Sequence, residues 1–320
     1  MKKLKELNDV NIVQSLFDHT LSNFKKNTKL TPVMATELEF FFVPKNNNTV
    51  ISEEILSEIT DSINTIAHNH GIKTGNISKE TGDLQYEVNV THSDNINQVI
   101  NDTIQIKNII ANIANNYKFI ASFDAKPYGD SDVGSGLHIH LSLQDDKGHN
   151  CFIKNGEQES KILLNSIGGL LAFLPCSIPL FITCPEDFSR YKAKFNIPAE
   201  QIRYKCNATN APVNISWGSN NRTTAIRIPD DHHDPSARRI EHRVPACNAN
   251  PYLAIIAILF AVEHGIIHNT LPQDKTWGNA FDEQYHLTTL PLNLTEAIKY
   301  YQESELHNYI NSFSQERRQG

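Results

Sequence analysis

The stretch Gly134-Ser135-Gly136-Leu137-His138-Ile139-His140-Leu141-Ser142-Leu143 decides the fold. From Leu137 onward apolar and polar residues alternate, the period-2 pattern of a strand with one buried face. His138 and His140 therefore share one face, opposite Leu137, Ile139 and Leu141. The glycines ahead of them let the backbone come close to a neighbour. The same spacing recurs at Glu37-x-Glu39, Gln85-x-Glu87-x-Asn89 and Arg239-x-Glu241-x-Arg243, with Leu38 and Ile240 between the charges. Glu80 lies just before the second of these. The pattern predicts a sheet that is apolar on one face and heavily charged on the other.

Helical segments surround these strands. Apolar spacing predicts helices over 4–29, 53–70, 93–116, 160–174, 252–268 and 294–313. Ser52 and Asn250-Pro251 supply start signals, and Gly71 a stop. Pro32 breaks the chain before the strand 33–43. The segments 212–217 and 223–228 alternate like a hairpin around Ser219-Asn220-Asn221. Strands interspersed with helices, but joined as hairpins rather than crossovers, give an α+β class.

Composition narrows the function. The 320 residues carry 36 acidic and 29 basic groups, a formal charge of -7. That balance excludes a sequence-independent nucleic-acid footprint. No uninterrupted apolar run reaches the ~20 residues of a bilayer span, and no signal peptide is recognisable, so no membrane partner is expected. Five cysteines without Cys-x-x-Cys (Cys151, Cys176, Cys184, Cys206, Cys247) are read as reduced core thiols of a cytoplasmic protein.

Carboxylates gathered on one sheet face repel unless a cation neutralises them. Oxygen-rich donor sets with an occasional imidazole suit Mg²⁺ or Mn²⁺. His138 and His140 alone could be half of a zinc site in a hydrolase. Arg222, Arg227, Arg239 and Arg243 suit phosphate or carboxylate. Metal-binding carboxylates beside arginines are a phosphoryl-transfer toolkit. The P-loop and kinase signatures are absent.

Taken in order, these segments resemble the catalytic domain of the glutamine synthetase family. The matching stretches are Ala35–Phe41, Glu80 through Gln85-Tyr86-Glu87, and Ala125-Lys126-Pro127 through Leu143. Ala211-Pro212 through Arg222 with Arg227-Ile228-Pro229 follows, and then Arg239–Arg243 through Asn250–Ala254. Trp217-Gly218 and Glu241–Pro245 lean toward the γ-glutamylpolyamine synthetase branch. The resemblance implies a curved, mostly antiparallel sheet with helices on its outer face, as in the glutamine synthetase/guanido kinase-like fold. It implies a single catalytic domain over 1–320: a helical lead-in (1–32), a metal and ATP core (33–261) and a helical tail (262–320).

Roles follow position by position. Glu39, Glu80 and Glu87 would hold one divalent metal, and Glu37, His138 and Glu241 a second. The cofactors are thus Mg²⁺ or Mn²⁺, two or more per site, with ATP as co-substrate. His140, Ser142 and Arg239 would contact ATP. Arg222 and Arg227 would stabilise the transferring phosphoryl group. Gly134 and Arg243 would hold the amino acid, with Arg243 also catalytic. The family joins glutamate to an amine through an acyl phosphate.

Departures accompany the match. Only one helix-like segment precedes Glu37, where the family carries a β-grasp domain that completes a neighbour's ammonium pocket. Val133 replaces an Asn, Asn210 an often acidic flap residue, and Ser189-Arg190-Tyr191-Lys192 a Ser-Tyr-x-Arg. The expected partners are therefore glutamate or a related amino acid and an amine larger than ammonium. A homo-oligomer smaller than the family's rings, or a complex with another chain, is also expected. The alternative reading is a catalytically impaired relative that binds nucleotide and metal in a regulatory or scaffolding role.

Overall fold

One 14-residue strand, β1 (Thr31–Pro44), organises the molecule. Its sequence, rich in β-branched and aromatic residues, favours the extended form. In the computed structural model, which describes residues 7, 9–129, 133–191 and 212–319, β1 pairs on one side with β3 (Gln85–Ser93) and on the other with β5 (Leu137–Gln144). β4 (Phe119–Ser122) pairs with the far end of β1. β2 (Ser78–Lys79) lies outside β3. Beyond β5 come β8 (Ile240–His242), β7 (Ile226–Ile228) and β6 (Trp217–Ser219), completing an eight-stranded open sheet. Every pairing is antiparallel except β6 with β7. The class is α+β, as the sequence predicts.

The helices are α1 (Val10–Thr28), α2 (Glu53–Asn69), α3 (Ile96–Asn116), α4 (Lys161–Phe181), α5 (Pro251–His268), α6 (Leu294–Gln302) and α7 (Glu305–Gln319). Asp9, Ser52, Asn95, Ser160, Asn250 and Asn293 each cap a first turn by accepting a backbone N–H. α3 packs on β1, β3 and β4; α5 packs on α1 and α4. They cover the apolar face of the sheet, where Leu38, Phe40, Val88, Ile139, Leu141 and Ile240 are buried. The charged face is left to the site.

Several expectations need correction. Pro32 lies inside β1, opposite Leu143. α4 continues past Leu174 through Pro175 and Pro179 to Phe181. The last helix is two: Ser304 interrupts it, its hydroxyl accepting from His307 N at 3.2 Å to start α7. The expected hairpin at 212–228 is a parallel pair, Trp217 opposite Ile226 and Ser219 opposite Ile228. Asn221 ties the connection outward to the carbonyls of Thr276 and Gly278, so the chain loops round instead of reversing. α4 and α5 are long and apolar enough to cross a membrane by length and composition, although Asn165, Ser166 and Ser177 interrupt the apolar run of α4 and Glu263 and His264 that of α5. In the fold, 72% and 61% of those apolar stretches are buried within the protein. Cys176 and Cys247 are buried, Cys151 and Cys184 half-buried, all as free thiols; Cys206 lies outside the described residues.

Candidate functional site

Strand register builds the site. Glu39 lies directly opposite Glu87, and Glu37 lies between Asn89 and His138. One step along, His140 faces Glu241, which faces Arg227. Residues paired across a sheet share a face, so Glu37, Glu39, Glu87, His138, His140, Arg227 and Glu241 all project from the side that the helices leave free. Arg239 and Arg243 share it by their spacing from Glu241.

Two compact donor sets result. One ligand atom each from Glu37, Glu39 and His138 lies within 4.8 Å of the others, and so it is for Glu37, His140 and Glu241. His138 Nδ1 is 2.6 Å from Glu37 Oε1 and 3.4 Å from Glu241 Oε1. Arg239 Nε donates to His140 Nδ1 at 3.2 Å. That bond leaves the His140 proton on Nε2, 3.4 Å from Glu37 Oε2. Glu241 is fully buried; Arg227 Nη1 lies 2.5 Å from its Oε2, and Arg243 pairs with its Oε1.

The charges perturb one another strongly. Burial opposes ionisation of Glu241, but Arg243 and His138 overcome it and bring its carboxyl down to about 2. Burial likewise works against Glu37, yet His138 and His140 hold it well below the usual range. Glu39 is pushed up by burial despite His138. Burial, and then the charge of Glu37, lift Glu87 to about 9. A divalent cation would relieve these repulsions. The donors fit one: oxygen-rich, with one or two imidazoles, as Mg²⁺ and Mn²⁺ prefer.

The remaining predicted residues fall around this centre. Glu80 accepts from Thr81 N at 3.1 Å and adjoins the Glu87 carboxyl. With Glu39 and Glu87 it does not form one of the compact sets. Asn89, whose amide donates to Glu87 at 2.9 Å, lines a cavity of about 400 Å³ together with Ala35, His140, Ser142, Ser236 and Arg239. Arg222 is exposed on the connection before β7. Gly134 is held by Gln85, whose amide donates to its carbonyl at 3.0 Å.

Arg190, which the Ser189-Arg190-Tyr191-Lys192 departure offers with Lys192 as a candidate cation for a substrate carboxylate, is instead a support. It is 2% exposed and donates to the carbonyls of Val244 and Pro245 at 2.8 and 2.9 Å. Its guanidinium thus fastens the end of β8 rather than standing free for a substrate carboxylate. It crosses directly over Gly136, where a Cβ would lie 2.5 Å from Nη2. No sequence spacing signals that contact. Val133 is buried; Lys192 and Asn210 lie outside the described residues.

Comparison with known proteins agrees with this geometry. The glutamine synthetase catalytic-domain model matches residues 50–316. Gamma-glutamylputrescine synthetase PuuA of Escherichia coli is 29% identical over 307 residues, covering 88% of this chain and 61% of that protein. A glutamate–isopropylamine ligase of a Pseudomonas species is 30% identical, covering 79% and 52%. The glutamine synthetase of Thermococcus kodakarensis is 31% identical, covering 72% and 48%. The chain therefore spans about half to three-fifths of the length of these relatives. A solved structure of GmaS with ADP has the same fold, with a TM-score of 0.78 at 23% identity over 96% of this chain and 72% of that one. With 50–316 covered by the family model and the carboxylate and imidazole face in place, the chain belongs to the glutamine synthetase catalytic-domain family.

Proposed function

We propose that this chain carries the machinery of an ATP- and divalent-metal-dependent ligase joining the side-chain carboxylate of glutamate, or a close relative, to an amine. The observation that supports it most is the single sheet face holding two carboxylate–imidazole sets ringed by Arg227, Arg239 and Arg243. In the first step a carboxylate oxygen attacks the γ-phosphorus of ATP, the bond to ADP breaks, and an acyl phosphate forms. In the second, a neutral amine attacks the acyl carbon, phosphate leaves, and the amide nitrogen loses its proton.

The residue roles follow the family resemblance. Glu39, Glu80 and Glu87 would hold one metal ion, and Glu37, His138 and Glu241 another. Mg²⁺ or Mn²⁺ held by these residues would supply positive charge against the negative charge that develops on phosphoryl transfer. His140, Ser142 and Arg239 border the 400 Å³ cavity where ATP would lie. Arg227 would release one oxygen of Glu241 to meet the transferring phosphoryl group, and Arg222, on the connection before β7, would join it. Gly134 and Arg243 would hold the amino acid.

The acceptor is an alkylamine or polyamine rather than ammonium. Two relatives are named for putrescine and isopropylamine. A larger amine can be held along its carbon chain, which ammonium cannot offer. The active form is a homo-oligomer or a complex with another chain. Phosphate release from ATP with glutamate, measured across ammonium, isopropylamine and putrescine, tests the reading. Alkylamine or diamine should outperform ammonium. Ammonium as the best acceptor at every pH would overturn the choice of amine, and amine-independent turnover would overturn the ligase.

A further inference from the structure

Gln85 opens β3 and shares a face with Glu87 and Asn89, but has no charge to offer a metal or a phosphate. It is 2% exposed, a depth at which a polar side chain needs its bonds made. Both ends of its amide are used. Oε1 accepts from Gly82 N at 3.0 Å, and Nε2 donates to the Gly134 carbonyl at 3.0 Å, with Ser135 Oγ at 3.5 Å. An N–H at one end and a carbonyl at the other fix which way round the amide lies. The first bond closes the turn 82–85, where Gln85 N also donates to Gly82 O at 3.1 Å and Gln85 O accepts from Glu80 N at 2.9 Å. The second pins one side of the Gly134–Ser135 peptide. On the other side Ser135 N donates to Ala125 O at 3.0 Å. One residue later Gly136 N donates to Glu39 Oε2 at 2.7 Å. Gly134 itself is half-buried.

We infer that Gln85 is a positioning residue for the amino acid substrate: it sets the orientation of the Gly134–Ser135 peptide against which that substrate is seated. This rests on the ligase reading, in which Gly134 holds the amino acid. Gln85 acts through the peptide, not on the reacting atoms. Few side chains of its size can make both bonds. Leucine would leave the Gly82 N–H and the Gly134 carbonyl without partners. Ionised glutamate would still accept from Gly82 but would set a negative oxygen against the Gly134 carbonyl. Protonated glutamate would donate its O–H to that carbonyl while its second oxygen accepts from Gly82. The same amide closes the turn after Glu80, so one side chain fastens the carboxylate side of the site to its amino-acid side.

Steady-state phosphate release by the full chain, with Mg²⁺, ATP and isopropylamine, tests it. Gln85→Leu should raise KM for L-glutamate about tenfold, the loss of one buried hydrogen bond at the seat. Its kcat and its KM for ATP should stay within about twofold of the wild type, since only ground-state binding of the amino acid is lost. Gln85→Glu should show the same rise at about pH 8, where its carboxyl is ionised. The ratio of its KM to that of the wild type should fall toward about pH 6, because burial raises the carboxyl and its O–H then donates to Gly134. This near-isosteric variant keeps the test sound if Gln85→Leu fails to fold. A merely structural role would raise both KM values alike, with no recovery at low pH. KM for L-glutamate unchanged in Gln85→Glu at the higher pH, or KM for ATP raised equally, would overturn the assignment and leave the ligase standing. A wild type without amine-dependent release would overturn the ligase reading, and this assignment with it.

Discussion

At Gly136, Arg190 passes so close that a methyl group would lie 2.5 Å from Nη2, and 3.0 Å from Nε2 of His138. Arg190 cannot step aside cheaply, because it is buried and bound to the carbonyls of Val244 and Pro245. Gly136→Ala is expected to destabilise the fold by about 1–3 kcal/mol, the range for inserting an extra methyl into packed surroundings. Since the clash is with Arg190 itself, combining it with Arg190→Met should give non-additive losses in urea unfolding. His242, on the opposite face from Glu241, behaves differently. Burial, with the charge of His138, pushes its imidazole down to about 3, so it is neutral when folded. The unfolded chain takes up that proton near the ordinary value of 6.5. Stability is thus complete above 6.5 and falls as the pH drops toward 3, by up to about 1.4 kcal/mol per pH unit. His242→Leu should remove this part of the slope, visible as a smaller loss of urea midpoint between about pH 7 and pH 5. Parity along each strand made the shared faces of Glu37 with Glu39 and of His138 with His140 legible, whereas the grouping of Glu37, His138 and Glu241 followed from the family resemblance. The role of Arg190 was not legible, since its partners are more than fifty positions away and are carbonyls, which every residue carries.

Among the elements, α4 and α5 approach until their backbones touch. A Cβ on Gly169 would lie 2.0 Å from the carbonyl oxygen of Ala261, and one on Gly265 2.2 Å from that of Asn165. Here the obstacle is main chain, which cannot rotate away. Gly265→Ala is expected to cost about 3 kcal/mol or more, measured as a lowered urea midpoint, whereas Ala on an exposed helix face is normally neutral. The strands and most helix starts were legible, because caps and period-2 alternation are local. Three element-level features were not. The run of α4 through Pro175 and Pro179 depends on its burial against α5. The break at Ser304 is one hydroxyl bond that an apolar periodicity does not register. The parallel pairing of β6 and β7 is set by Asn221 reaching the 276–278 segment, a contact with no signature in 212–228 itself.

For the whole molecule, the carboxylate face is a source of strain that a cation relieves. Glu37, Glu39 and Glu87 lie side by side, and burial with mutual repulsion raises Glu39 and Glu87. Mg²⁺ or Mn²⁺ is therefore expected to raise the melting temperature; at about 100 times the dissociation constant the gain is about 2.7 kcal/mol. Glu241→Gln should abolish that gain, and an equal shift in the variant would place the metal elsewhere. The pairing of α4 with α5 has a consequence for how the chain is made. α4 ends at Phe181 and α5 begins only at Pro251, about 70 residues later, so at about 5–20 residues per second α4 waits several seconds for its partner. During that interval a helix long and apolar enough to enter a lipid bilayer is outside the ribosome with its main apolar partner not yet synthesised. Nascent chains stalled near residue 250 should crosslink to ribosome-associated chaperones, while chains extended beyond His268 should lose that crosslink as α5 closes over α4.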